Sequence, residues 1–204
     1  MPPAPRRSSK RRSAEIVAAA AKVFAERGYH GATTQDIADV LGIRQASLYY
    51  YFPSKEAALE QVCLDGSAGY VAGALAVKRG PGSAAEKLAR LVNNHVELWR
   101  TRVDFARVFL RERSNLPKAT RHRIGRYSRR YERIFEDVLQ AGMDSGEFRP
   151  DLDPRITALA VIGMCNSGTA WYGIEPGATV ERIAADFVRL LVGGILAGAE
   201  RRSA

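Results

Sequence analysis

The sequence predicts an all-α protein of about nine helices. Apolar residues recur at the helical period in every long segment, no run alternates apolar and polar residues like a strand, and Gly, Pro and small capping residues punctuate the chain at helical lengths. No internal repeat is present. With 204 residues and 46% apolar content, the chain can bury the core of a small domain joined to a larger one.

Residues 1 to 12 contain Arg6, Arg7, Lys10, Arg11 and Arg12, three prolines and no acid, which predicts a basic disordered arm able to bind a polyanion. From Ala14, the spacing of Ile16, Val17, Ala20, Val23 and Phe24 predicts the first helix, with Gly28 as its stop. Thr33, an N-cap with Asp36 three positions on, opens a second helix over about 34 to 41. Gly42 relieves the turn into a third, over about 45 to 51. Ile37, Ala38, Leu41, Ile43, Leu48 and Phe52 can form a small core between these two helices, the pattern of a helix-turn-helix.

Ser54 caps a long fourth helix carrying Leu59, Val62, Cys63 and Tyr70, and Pro81-Gly82 closes it. Ser83 begins a fifth through Leu88, Leu91, Val92, His95, Leu98 and Trp99, followed by a short helix over 104 to 113. Between Lys118 and Ser145, Ile124, Tyr127, Tyr131, Ile134, Phe135 and Val138 share one stripe, opposite Arg123, Arg126, Arg129, Arg130 and Arg133. Gly146 ends that helix, and Asp153 caps another through Ile156, Leu159, Ala160, Met164 and Trp171. The last helix runs from Thr179 to about Gly198, with a wide apolar face and Gly193, Gly194 and Gly198 for close approach of a second helix. These elements give an arm at 1–12, a helix-turn-helix domain at 13–55 and a larger helical domain at 56–204.

A net charge of +9 and a pI near 9.9 suit a partner of negative charge. Cys63 and Cys165 fit no metal-ligand spacing and are read as buried thiols of a reducing cytoplasm. No cleavable leader and no run approaching membrane-spanning length is found, so a soluble cytoplasmic protein without a membrane partner is expected. His30, His95 and His122 have no nearby pattern of nucleophile, base or metal ligand, and no Gly-rich phosphate loop occurs, which argues against an enzyme, a metal site or a cofactor.

The helix-turn-helix leaves a polar and aromatic face for double-stranded DNA. Tyr49 and Tyr50 cannot both be core where Leu48 and Phe52 already occupy the inner face, so at least one hydroxyl should reach a phosphate; Tyr50 is the stronger choice, and Tyr49 can equally pack on the first helix. Thr34 and Gln35 open the second helix and should meet the DNA backbone. Lys55, just inside the fourth helix, is either a phosphate ligand or an ordinary surface lysine.

These residues resemble the TetR family of bacterial transcriptional regulators. The family pattern Phe-Ala-x-x-Gly is matched by Phe24-Ala25-Glu26-Arg27-Gly28, and Thr-x-x-x-Ile-Ala by Thr33 to Ala38. The Gly turn is matched at Gly42, and Leu-Tyr-x-x-Phe with a following Lys at Leu48 to Phe52 and Lys55; Tyr51 stands where many members have His. Gly146-Glu147-Phe148-Arg149-Pro150-Asp151-Leu152-Asp153, with Trp171-Tyr172 and Pro176-Gly177, is similar to members that control lipid or steroid catabolism and sense acyl-CoA thioesters.

The resemblance implies a recognition helix whose first residues, Arg44 and Gln45, reach base edges in the major groove. Arg can pair with guanine and Gln with adenine, although Arg44 can equally serve as a solvated or phosphate-contacting charge. Ser47 and Tyr51 belong to the same surface. One such head makes few base contacts, so a two-fold homodimer on a palindromic operator is expected, joined through the last two helices.

The resemblance further implies repression relieved by a small-molecule effector. Between Arg102 and Arg133 eleven Lys and Arg stand against Asp104, Glu112 and Glu132, so an anionic acyl-CoA is one expectation and a solvated basic face the other. Candidate effector-binding residues are Trp99, Phe105, Phe109, Tyr131, Met164 and Trp171 as walls, with Arg121 near Tyr127 and Tyr131 as an anion partner; plain core is the competing reading for the walls. A neutral or cationic lipophile, as in a drug-efflux regulator, is the alternative effector, and a nonspecific DNA-coating protein is the alternative class.

Overall fold

The structure, a computed structural model, describes residues 6–196. Among these residues are nine α-helices: α1 (Arg6–Gly31), α2 (Thr34–Leu41), α3 (Gln45–Leu48), α4 (Lys55–Arg79), α5 (Ala84–Glu97), α6 (Trp99–Glu112), α7 (Lys118–Asp144), α8 (Pro154–Ser167) and α9 (Val180–Ile195). Short 3-10 turns follow α6 and α8, and Phe148 and Leu196 form an isolated antiparallel bridge. The described residues form two compact units. The first holds the chain up to Ser67 together with Asp104–Ile124; the second holds Ala68–Val103 and the residues from Gly125 on.

In the first unit, Ile16, Ala20, Phe24, Ile37, Leu48, Leu59, Val62 and Val108 form one fully enclosed apolar cluster, with Leu41 and Ile43 packed against it. The spacing of the first four on α1 and α2 fits a helical stripe turned inward. The helix α1 starts at Arg6, earlier than the apolar pattern from Ala14 indicates, so the segment expected to be disordered is helical from Arg6 to Arg12. No Pro or Gly interrupts the sequence between Pro5 and Gly28, and Glu15 pairs with Arg11 and Arg12 at 3.2 and 3.3 Å. Residues 1–5 of the expected arm lie outside the described residues.

Thr33 caps α2 as expected: its hydroxyl accepts the Asp36 N–H, and the Asp36 carboxylate accepts the Thr33 N–H at 2.8 Å. Those bonds to Thr33, chiefly, hold the Asp36 carboxyl below its ordinary pKa, helped by Arg27 at 2.6 Å. Thr33→Ala should lower the stability of this unit by about 1 kcal/mol in chemical denaturation; unchanged stability would show that the cap contributes nothing. Gly42 ends α2 at φ 62°, the left-handed conformation that turns the chain into α3.

Helix α3 is shorter than expected, ending at Leu48, with turn hydrogen bonds from Tyr51 and Phe52 back to the Leu48 carbonyl. Pro53 keeps Phe52 out of the helical region, so the turn after Leu48 is not continued as helix beyond it.

In the second unit, α5 packs against α8 and α9, and Leu88, Leu91, Val92, Phe135, Leu139, Phe148 and Val161 form its largest cluster. The α7 stripe is buried at Tyr131, Ile134, Phe135 and Val138, whereas Tyr127, expected on it, is 39% exposed. The α7 arginines 123, 126, 129, 130 and 133 are exposed, as their phase predicts. Ser83 and Glu86 cap α5 reciprocally. Glu147 adds its carboxylate to the N–H groups of Ala84 and Ala85, both at 3.1 Å, and those bonds hold its pKa down. Asp153 caps α8 through the Ile156 N–H at 2.7 Å. Glu147 and Asp153 thus each serve a helix N-terminus, whereas Asp151 pairs with Arg149 at 2.6 Å.

Two further boundaries differ from expectation. The helix expected at 104 begins at Trp99 and bends at Arg102 (φ −138°, ψ 20°), between the β-branched Thr101 and Val103. Helix α8 ends at Ser167, before Trp171, where Gly168 opens a 3-10 turn. The expected end of the last helix, Gly198, lies outside the described residues. Both cysteines are buried free thiols, and burial pushes each up to about 12. Among the described residues no helix is long and apolar enough to cross a membrane.

Candidate nucleic-acid interface

The side chains expected to face DNA all lie in the first unit. Leu48 and Phe52 turn inward, which leaves Arg44, Ser47, Tyr49, Tyr50 and Tyr51 exposed around α3. Arg44 is the α3 N-cap residue, in extended backbone (φ −72°, ψ 142°), and its side chain makes no capping bond. No ion pair among the described residues includes it, so its five donors need no rearrangement to meet a base or phosphate.

Tyr50 is the most exposed aromatic residue of the described chain at 86%, held edge-on by Tyr51 with ring centroids 5.1 Å apart. Tyr49 is half exposed, and its hydroxyl is 3.5 Å from Thr34 Oγ1 on α2. Gln45 Nε2 donates to the same Thr34 oxygen at 2.7 Å. Thr34, Gln45 and Tyr49 therefore cross-link the two helices of the motif and set the angle at which Arg44 and Tyr50 are presented. Gln45 keeps its second amide N–H and its Oε1 for a base edge. Gln35 is exposed and donates to Asp39 at 2.6 Å, one helical turn on.

Lys55 has a structural role that neither of its sequence readings gave it. Its ammonium donates to the carbonyls of Tyr29 and Ala32 at 2.8 and 2.9 Å and lies 4.6 Å above the Tyr29 ring. Two of its three N–H groups thus close the connection between α1 and α2, leaving one for a phosphate. From α6, the Glu112 carboxylate accepts the Tyr29 N–H at 3.2 Å, so the same connection is held at a second point. Sequence reasoning missed Glu112, whose partner stands 83 positions away.

The candidate effector residues divide between the units. Phe105 (buried), Phe109 (half-buried) and Arg121 (exposed) belong to the first; Trp99 and Tyr131 (buried), Met164 and Trp171 (half-buried) and Tyr127 (exposed) belong to the second. Trp99 and Tyr131 are joined by two residues not expected there, Tyr70 and His95. His95 Nδ1 and the Tyr131 hydroxyl are 2.9 Å apart inside the unit, and burial pushes His95 down to about 3. The helical phase of His95 places it on the buried α5 stripe with Leu88, Leu91 and Val92.

The native imidazole thus stays neutral where an unfolded one, near 6.5, takes up a proton. Stability is full above about 6.5 and falls toward about 3, by about 1.4 kcal/mol per pH unit in that window. His95→Gln should flatten this acid slope in thermal melts compared between pH 7 and pH 5; parallel slopes would contradict the assignment.

Two family models match: bacterial regulatory proteins of the tetR family over residues 16–62, and the tetracyclin repressor-like C-terminal domain over residues 81–195. The HTH-type transcriptional repressor KstR2 of Rhodococcus jostii is 29% identical over 199 residues, covering 95% of this chain and 96% of that protein. The crystal structure of AibR in complex with isovaleryl coenzyme A and operator DNA superposes with a TM-score of 0.80 at 25% identity, over 89% of this chain and 98% of that one. The transcriptional regulator FadR from Bacillus subtilis in complex with stearoyl-CoA gives 0.73 at 26% identity, again over 89% and 98%.

Proposed function

The chain belongs to the TetR family of bacterial regulatory proteins, and we propose that this DNA-binding transcriptional regulator represses from a palindromic operator as a homodimer and is released by an acyl-CoA thioester. The observation that carries the DNA reading is the pairing of an inward Leu48 and Phe52 with an outward Arg44 and Tyr50 around one short helix. Arg44 and Gln45 read base edges. Tyr50, Tyr49, Tyr51, Ser47, Thr34, Gln35 and the remaining N–H of Lys55 serve the phosphates. Residues 13–55 act as the reading head and 56–204 as the sensing and dimerising part. No catalytic role is assigned to any residue, and the place of action is the cytoplasm, where the chromosome is.

Dimerisation through α8 and α9 is supported by what these helices leave uncovered. Ile156 is 64% exposed, Leu190 69% and Leu159 41%, while Gly163, Gly193 and Gly194 have open space where a side chain would stand. Exposed large apolar side chains beside small residues suit a four-helix seam between two copies.

The effector class rests on the relatives, since AibR and FadR were each solved with an acyl-CoA. The test is release of an operator, selected from random DNA, by stearoyl-CoA and isovaleryl-CoA against a panel of lipophilic cations. Release by a thioester is the expected result, and release by cations alone would replace this effector with the drug-like alternative.

A further inference from the structure

Inside the second unit, Tyr70 of α4, His95 of α5, Trp99 of α6 and Tyr131 of α7 form a continuous aromatic cluster. Tyr70 is 4.8 Å from His95 and 5.8 Å from Tyr131 between ring centroids, and His95 is 6.3 Å from Trp99. His95 and Tyr131 satisfy each other, but the Tyr70 hydroxyl and the Trp99 indole N–H are enclosed without a hydrogen-bond partner. The Trp99 indole N–H and the Tyr70 oxygen are near enough to influence each other, short of an ordinary hydrogen bond.

Trp99 is completely buried, and the fold is shaped to admit it: a Cβ on Gly168 would fall 2.3 Å from its ring. A core that needed only volume would be better filled by phenylalanine at both places, because an enclosed donor without an acceptor is destabilising. Burial keeps the surrounding groups uncharged, with His95 held neutral and the hydroxyls of Tyr70 and Tyr131 pushed up. Two adjacent neutral donors in an apolar setting match a neutral acceptor with two lone pairs, and desolvating a carboxylate there is unfavourable.

We infer that Tyr70 and Trp99 form a two-donor clamp for the neutral carbonyl of a ligand bound inside the second unit, a thioester or a ketone. The inference rests on the reading of that unit as effector-binding and narrows what it recognises.

The test uses full-length protein and two matched pairs of probes: stearoyl-CoA with its carbonyl-free S-octadecyl thioether, and 2-nonanone with its alkene isostere 2-methyl-1-nonene. Calorimetric titration should find each carbonyl compound bound about tenfold more tightly than its mate. Tyr70→Phe and Trp99→Phe should each remove most of that preference while leaving affinity for the mate, and Tyr70→Phe should raise the melting temperature of the ligand-free protein. A preference confined to the ketone pair would sink the acyl-CoA reading and leave the clamp standing. Stearoyl-CoA and its thioether bound equally, with no ketone preference, would overturn the clamp and leave that reading intact. A carbonyl preference that survives both replacements overturns the clamp as well, and failure of all four probes to bind overturns both.

Discussion

Arg44→Ala should weaken operator binding by about 1–3 kcal/mol per half-site, hence about 2–6 kcal/mol for a dimer, and relax the preference for guanine at one position of each half-site. The expectation follows from where the residue sits. As the N-cap of α3 it stands at the end proposed to enter the groove, its side chain caps nothing, and the helix behind it is anchored by Leu48. Tyr50→Phe should instead lower affinity for all sequences alike, because a phosphate contact carries no sequence information. Binding isotherms on the selected operator and on single-base variants separate the two; an Arg44→Ala protein that loses affinity uniformly would reassign the guanidinium to the backbone.

Lys55→Met should destabilise the first unit by about 3 kcal/mol, since two charge-assisted hydrogen bonds and a cation–π contact are removed together and two carbonyls lose their donor. Operator binding should fall with it, because the connection from Tyr29 to Ala32 leads directly into the Thr33 cap of α2. The signature distinguishing this from a phosphate contact is the salt dependence. A lost structural clamp leaves the slope of affinity against salt unchanged at temperatures where the variant is folded, whereas a lost phosphate contact reduces the slope by about one per head. With one N–H of Lys55 left for a phosphate, the reduced slope is expected alongside the lost stability, and an unchanged slope would confine Lys55 to the clamp.

The helices were legible because their signals are local. Thr33 with Asp36, Ser83 with Glu86, Gly42 and Asp153 each act within a few residues of where they stand, and each marks the expected helix end. Periodicity likewise placed Leu48 and Phe52 inward and so left Arg44 and Tyr50 outward. What could not be read were long-range bonds competing for the same groups. Lys55 turns to carbonyls of residues 29 and 32, Gln45 to Thr34 and Glu112 to the Tyr29 N–H, and nothing in a one-dimensional pattern ranks those partners above water or phosphate. The Tyr70–His95–Trp99–Tyr131 cluster was half visible for the same reason: Trp99 and Tyr131 stood out as large aromatic groups, while His95 and Tyr70 gain their meaning only where four helices meet. Helix α1 began early because apolar periodicity is silent on a polar helical extension.

The central claim, that Arg44, Gln45 and Tyr50 present a sequence-reading surface in duplicate, is tested most directly by selecting bound fragments from random duplex DNA with the native protein and with a variant carrying alanine at all three positions. The native protein should enrich an inverted repeat whose half-sites are centred one helical turn apart, about 34–36 Å, or a multiple of it, and the variant should enrich none. Recovery of the same repeat by both proteins would contradict the account.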